Sequence, residues 1–176
     1  MGIAHTAVAG YYEILEDCLI AERLEPLTQS RTRKKLTKSP RYLFFDLGVR
    51  RAAAEEGRRL PPRVLSGLFE QVVGLELIRL GRLARPEVHV RFWRDPDGPE
   101  VDWVLTVEDQ TLPVEVKWSE APSARDIRHL ETFLHEHGGA RHGLVACRTP
   151  RRFQLARNIL ALPWQEIPDV IEEFLA

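Results

Sequence analysis

The runs Glu100-Val101-Asp102-Trp103-Val104-Leu105 and Leu112-Pro113-Val114-Glu115-Val116-Lys117 hold the most chemical content of this sequence. An acid on one β-type run, with an acid-x-lysine on the next, is a side-chain set that suits a metal-dependent phosphodiesterase. Strand side chains alternate, so Glu115 and Lys117 share one face while Val114 and Val116 take the other, where a core can receive them. With Asp109 and Gln110 as the central turn residues, the two runs pair so that Lys117 lies opposite Asp102. Glu115 is then diagonal to Asp102 on the same face, roughly 7 to 8 Å away along the backbone. Two converging carboxylates repel one another unless a positive charge lies between them. A hard divalent cation, Mg2+ or Mn2+, held through oxygen ligands is the natural occupant. Such an ion acidifies a bound water and polarises a phosphodiester. Lys117, beside the carboxylates, would hold the attacking hydroxide or the developing negative charge. Glu70 is the third acid expected there, on the helix before the strands, with Gly67 and Gly74 at i−3 and i+4 leaving its surroundings open. A plainer reading stands beside this one. Asp102 and Lys117 form a surface ion pair of small value, and Glu70 is a solvent-facing helical residue next to Gln71.

The elements that must position these residues follow from periodicity. His5 to Asp17 carries apolar residues at helical spacing, Leu19 to Leu24 reads as a short strand, and Arg41 to Phe45 is rich in β-formers. Pro61-Pro62 marks a boundary, giving a segment 1–62 and a domain 63–176. Leu65 to Leu80 is a helix with the stripe Phe69, Val73, Leu77 and Leu80. Strands follow at Val88 to Arg94, Val101 to Val107 and Thr111 to Trp118. Ser123 caps a helix running to about His137, ended by Gly138-Gly139. Gly143 to Cys147 is a buried strand and Ile167 to Leu175 a last helix. The order helix, three strands, helix, strand predicts an α/β domain around a mixed sheet.

Composition sets limits on function. With 44% hydrophobic and 29% charged residues in 176, the chain is an ordinary globular sequence and not a disordered one. No apolar run reaches the roughly eighteen residues of a membrane span, and the N-terminus lacks the layout of a secretory signal. Cys18 and Cys147 have no CxxC spacing, which predicts reduced, buried thiols and a cytoplasmic protein. The segment from Ser30 to Arg63 carries eleven basic residues against three acids, +8 on a chain of net charge −1. Its loop residues Arg33, Lys34 and Lys35, together with Arg94 near the acids, are candidates for phosphate contact; a solvated, solubilising loop is the alternative. Trp93, Trp103 and Trp118 could stack on bases, although packing is the simpler role, above all for Trp103. The His135-x-His137 pair lacks converging ligands.

The sequence carries two resemblances. The helix with Glu70, then Glu100-Val101-Asp102, then Val114-Glu115-Val116-Lys117, then helix and strand, resembles the core of the PD-(D/E)XK (restriction endonuclease-like) superfamily. That resemblance implies Asp102 and Glu115 as magnesium ligands, Lys117 as catalytic and Glu70 as assisting, in a nuclease-type domain acting on DNA. Tyr42-Leu43-Phe44-Phe45-Asp46-Leu47-Gly48-Val49-Arg50, Gly67-Leu68-Phe69-Glu70 and Phe92-Trp93-Arg94 leading into Glu100-Val101-Asp102 look like the domain of unknown function at the C-terminus of many prokaryotic AAA-type ATPases. There an ATPase core and a winged helix precede a nuclease-like domain. This implies an ATPase core as partner, in cis or in trans, and a partial winged-helix-like segment at residues 1–62. The sequence has no GxxxxGK[ST] element, so no ATP site is expected in it; it begins inside the winged helix, as a truncated piece or a free-standing remnant would. The alternative function is a catalytically inactive module that binds nucleic acid or a protein partner.

Overall fold

The computed structural model describes residues 5–28, 39–96 and 98–176. Helix α1 (His5–Asp17) leads into strands β1 (Ala21–Leu24) and β2 (Arg41–Phe44), which pair antiparallel, and a short helix α2 (Leu47–Ala53) follows. Asp46 starts α2: its Oδ1 accepts the N–H groups of Gly48 at 2.6 Å and Val49 at 3.0 Å, two donors that have no carbonyl inside the helix. No α2 side chain is buried. Asp46→Ala is therefore expected to weaken α2 locally by about 1 kcal/mol. Amide hydrogen exchange at Gly48 and Val49 should speed up while the global melting temperature barely moves.

Prolines lack an N–H that the first helical turn would leave unpaired, and Pro62 opens the long helix α3 (Pro62–Leu83). It is followed by β3 (His89–Arg94), β4 (Glu100–Val107), β5 (Gln110–Lys117), a 3₁₀ turn (Ala124–Ile127), α4 (Arg128–Glu136), β6 (Gly143–Cys147), β7 (Phe153–Ala156), β8 (Ile159–Pro163) and α5 (Ile167–Leu175). The six later strands form one mixed sheet in the order β3-β4-β5-β6-β8-β7. Its centre is parallel, β5 to β6 through the α4 crossover and β6 to β8, and its flanks are antiparallel. The α/β class and the mixed sheet are as the sequence predicts. Helix α2 and the strands β7 and β8 are additional.

Alternation places a core on each face of the sheet. Val114, Val116, Leu144, Ala146 and Leu162 join Phe69, Val73 and Leu77 of α3 and Ile167, Val170 and Ile171 of α5. Val145, Cys147 and Ala161 face the other way, onto Leu130 and Phe133 of α4. The N-terminal hairpin joins the first layer through Leu24 and Leu43. Both cysteines are free; Cys147 is buried as expected, but Cys18 is exposed, since it lies just past the end of α1. Trp93 and Trp103 are wholly buried packing residues.

The β4–β5 turn differs from the expected one. Glu108 and Asp109 are its central residues, Val107 pairs with Gln110 and Trp103 with Val114, a register two residues away from the predicted pairing. Glu108 takes the left-handed conformation (φ 50) that such a tight turn needs. Pro113 supplies the reason. A two-residue hairpin is closed by a hydrogen-bonded pair, and bonded and non-bonded pairs alternate from there. The predicted register puts Pro113, which has no N–H, in a bonded pair with Thr106. The observed register sets it opposite Val104 in a non-bonded pair, where nothing is lost.

Candidate functional site

The four predicted residues meet where β4 and β5 part. Ladder pairing between these strands ends at Trp103 and Val114, yet β4 extends back to Glu100 and β5 runs on to Lys117. Continuing the ladder by one pair brings Glu115, and not Lys117, opposite Asp102; this corrects the predicted juxtaposition. A bulge sits at the same place: between the pairs Arg91–Val104 and Trp93–Val101, a single β3 residue, Phe92, faces Asp102 and Trp103 together. Bulges re-aim side chains. Here the Asp102 Oδ2 turns to accept the Val116 N–H at 2.9 Å, taking a donor that a continued ladder would have used.

Lys117 Nζ donates to Glu115 Oε1 at 2.7 Å. Glu115 Oε2 is buried and accepts no hydrogen bond. Asp102 and Glu115 are two of three buried polar or charged residues among those described, at 8% and 5% exposure. Glu70 approaches from α3. The reading of Gly67 and Gly74 as open space beside it holds for Gly67, around which a Cβ would touch nothing, but fails for Gly74, whose place is filled by the Trp103 indole.

Burial raises all three acids. It is the main cause for Glu70, reaching about 7, with the Asp102 carboxylate adding to it and Arg41 opposing it. Burial likewise lifts Glu115 to about 8, again with Asp102 adding to it and Lys117 opposing. Asp102 is raised by burial against the pull of the Val116 N–H and Lys117. Burial alone would lower Lys117, but the Glu115 and Asp102 carboxylates outweigh it and hold the ammonium above its ordinary range. A Glu115 that is partly protonated near neutrality would loosen its grip on Lys117.

Two residues outside the predicted set complete the cluster. Arg41, the first residue of β2, lies 3.5 Å from both Glu70 and Glu100, with its guanidinium 4.4 Å above the Phe92 ring. Gln71 helps place it, because its Oε1 accepts the Phe44 N–H and ties β2 to α3. Glu100 also meets Arg94 at 3.5 Å, and its N–H donates to His129 Nδ1 at 3.4 Å. Arg94, predicted as a phosphate contact, thus stands exposed at the rim of the acid cluster. Arg33, Lys34 and Lys35 lie outside the described residues. Arg152 is engaged by Glu166, Asp169 and Glu173 at the α5 end of the sheet.

A cavity of about 320 Å³ opens between Arg41, Gly67, Glu70, Gln71 and Trp103. A larger one, about 1060 Å³, lies at the turn end of the β4–β5 hairpin around Glu108, Asp109 and Gly138, and holds none of the four site residues. Of these two, the smaller adjoins the acid cluster through the half-buried Glu70, while Asp102 and Glu115 lie outside its lining.

Raised carboxyl pKa values have a measurable consequence. Between about pH 4.5 and pH 8 the native state binds more protons than the unfolded chain, so this contribution to stability is complete below about pH 4.5 and is lost as pH rises through 7 to 8. Relative to a Glu115→Gln variant, which cannot titrate there, the wild type is expected to lose thermal stability between about pH 5 and pH 9. A melting-temperature difference independent of pH would contradict this.

The fold and site define an α/β domain with a mixed six-stranded sheet and a buried acid–lysine cluster where two antiparallel strands separate. Residues 65–167 match the model of a domain of unknown function, DUF4143, and the chain belongs to that family. Residues 1–59 match a second domain of unknown function, DUF8612. No curated protein matches the chain. No helix among the described residues is long and apolar enough to cross a membrane.

Proposed function

We propose that the domain is a magnesium-dependent nuclease of the PD-(D/E)XK kind acting on DNA, derived from the C-terminal part of an AAA-type ATPase. One observation carries this reading: Asp102, Glu115, Glu70 and Lys117 interact mutually although they come from three elements, and they leave a buried carboxylate oxygen on Glu115 without a partner. Buried acids in excess of their local cations fit a hard divalent ion. Asp102 and Glu115 would hold it, with Glu70 assisting. When bound, the ion supplies an acidified water and a polarised phosphodiester. In the hydrolysis a water oxygen bonds to phosphorus, the P–O ester bond breaks and the leaving oxygen takes a proton. The Lys117 ammonium is placed to stabilise the negative charge that builds on the phosphate oxygens. The test is incubation of plasmid and linear DNA with Mg2+ or Mn2+, beside a Lys117 variant. Absence of cleavage by the wild type, or equal cleavage by both proteins, would end this reading.

A second reading has its own support. Arg41 already bridges Glu70 and Glu100, Lys117 already pairs with Glu115, and among the described residues no three acids or histidines are gathered as a metal cage. Those contacts suit an inactive module that binds nucleic acid or a protein such as an ATPase core, with residues 1–62 as a winged-helix-like segment. Titration calorimetry separates the two. Under the first, Mn2+ binds and the binding is lost in Asp102→Asn; under the second, neither protein takes up the ion. If Mn2+ binds, a tenfold excess over Kd should raise the melting temperature by roughly 3–6 °C at pH about 8.5 and by less at pH about 6, where protons compete for the same carboxylates.

A further inference from the structure

We propose that Trp118, with Arg148 laid on its face, is a base-stacking platform that gives the neighbouring acid cluster a preference for unpaired nucleotides. The proposal rests on the reading of that cluster as a nucleic-acid site. Trp118 directly follows Lys117, at the C-terminal end of a strand in the parallel part of the sheet, and the crevice outside such strand ends is where α/β sheets bind ligands. In the parallel ladder Lys117 pairs with Cys147, and the Arg148 N–H donates to the Ser119 carbonyl at 2.8 Å, so the positions after the two strand ends are locked side by side.

The two side chains meet accordingly. The Arg148 guanidinium carbon lies 4.2 Å from the centre of the Trp118 ring, with Glu120 holding the guanidinium at 3.0 Å. Phe69 braces the indole edge-on at 5.1 Å, and Phe69 is itself braced by Trp164. Since Phe69 immediately precedes Glu70 on α3, the platform and the acid cluster share a support.

Trp118 keeps 39% of its surface exposed, whereas Trp93 and Trp103 are wholly buried. Its ring is therefore held by Phe69 and the Arg148 guanidinium, while more than a third of the residue's surface still meets solvent. A flat, rigid aromatic surface beside a guanidinium can receive a base on the ring and a phosphate on the cation. Inside a duplex both faces of each base are covered by its neighbours in the stack, so away from the duplex ends only an unpaired or displaced base can lie on such a ring.

The test is fluorescence anisotropy of a short labelled oligothymidylate, and of its duplex with oligoadenylate, in EDTA so that cleavage plays no part. The single strand is expected to bind more tightly than the duplex. Trp118→Ala should lose about tenfold of the single-strand affinity, Trp118→Tyr should retain most of it, and duplex affinity should be unchanged in both. Arg148→Ala, a change at a partly exposed side chain, should lower single-strand affinity several-fold and gives an independent readout if Trp118→Ala folds poorly. Equal single-strand binding by the wild type, Trp118→Ala and Arg148→Ala overturns the platform, as does binding of neither nucleic acid. Cleavage of plasmid in the presence of Mg2+ would then still uphold the nuclease reading.

Discussion

Lys117→Met is expected to slow metal-dependent DNA cleavage by about a hundredfold or more, the scale on which removing one positioned charge at a developing oxyanion acts. Initial rates of plasmid nicking at saturating Mg2+ measure it. Methionine keeps an unbranched stem against the sheet but removes the ammonium that Glu115 holds at 2.7 Å. The carboxyl left behind is buried and lies in a site that already favours protonation, so it should take a proton and avoid standing as an uncompensated charge. The variant should consequently fold, and a circular-dichroism melt verifies that lost activity is not lost structure. Wild-type cleavage with an unimpaired Lys117→Met would remove the lysine from the mechanism while leaving the acids in it. If Lys117→Met alters only the melting temperature of a wild type that cleaves nothing, the cluster is an ion-pair network and the inactive-module reading prevails.

The largest expected effect on stability comes from a glycine one turn beyond Glu70. A Cβ on Gly74 would stand 2.3 Å from Cζ2 and 2.5 Å from Cη2 of Trp103, whose indole is fully buried and cannot swing into solvent. Gly74→Val is thus expected to cost about 3 kcal/mol, the upper part of the usual range for overpacking. For a chain of this size that lowers the melting temperature by roughly 6–12 °C. Gly67 on the same helix is the control, since a Cβ there meets nothing within 4 Å. Gly67→Val should be close to neutral, because valine's somewhat better helix propensity is opposed only by its stiff side chain. Equal effects at the two positions would refute this account of α3 packing. Trp103 shares its bulge with Asp102, so Gly74→Val should also lower any cleavage activity beyond what its residual stability explains.

Much of this architecture is legible in the residue order. Alternation alone sends Val114 and Val116 to one core and Glu115 and Lys117 to the other face, and the structure keeps that division. The stripe Phe69, Val73 and Leu77 faces the sheet for the same kind of reason. Register was legible too, through a signal other than turn propensity: the missing N–H of Pro113 excludes the pairing that places Lys117 opposite Asp102. Strands β7 and β8 were harder. Their short runs have no periodicity that separates strand from buried coil, and they become strands because β8 finds β6 on one side and β7 on the other.

The sequence by itself determined the acids, the lysine and the faces they occupy, because side-chain alternation is a property of the local backbone and needs no partner. Only the tertiary structure decided what neutralises them. Arg41 reaches Glu100 across 59 residues of chain because Leu43 is buried in the core and Gln71 binds the Phe44 amide, while the bulge opposite Phe92 turns Asp102 toward the Val116 N–H. Contacts of that kind depend on how separate elements pack and on where one extra residue is accommodated in a ladder. The spacing of residues along one strand carries no record of either.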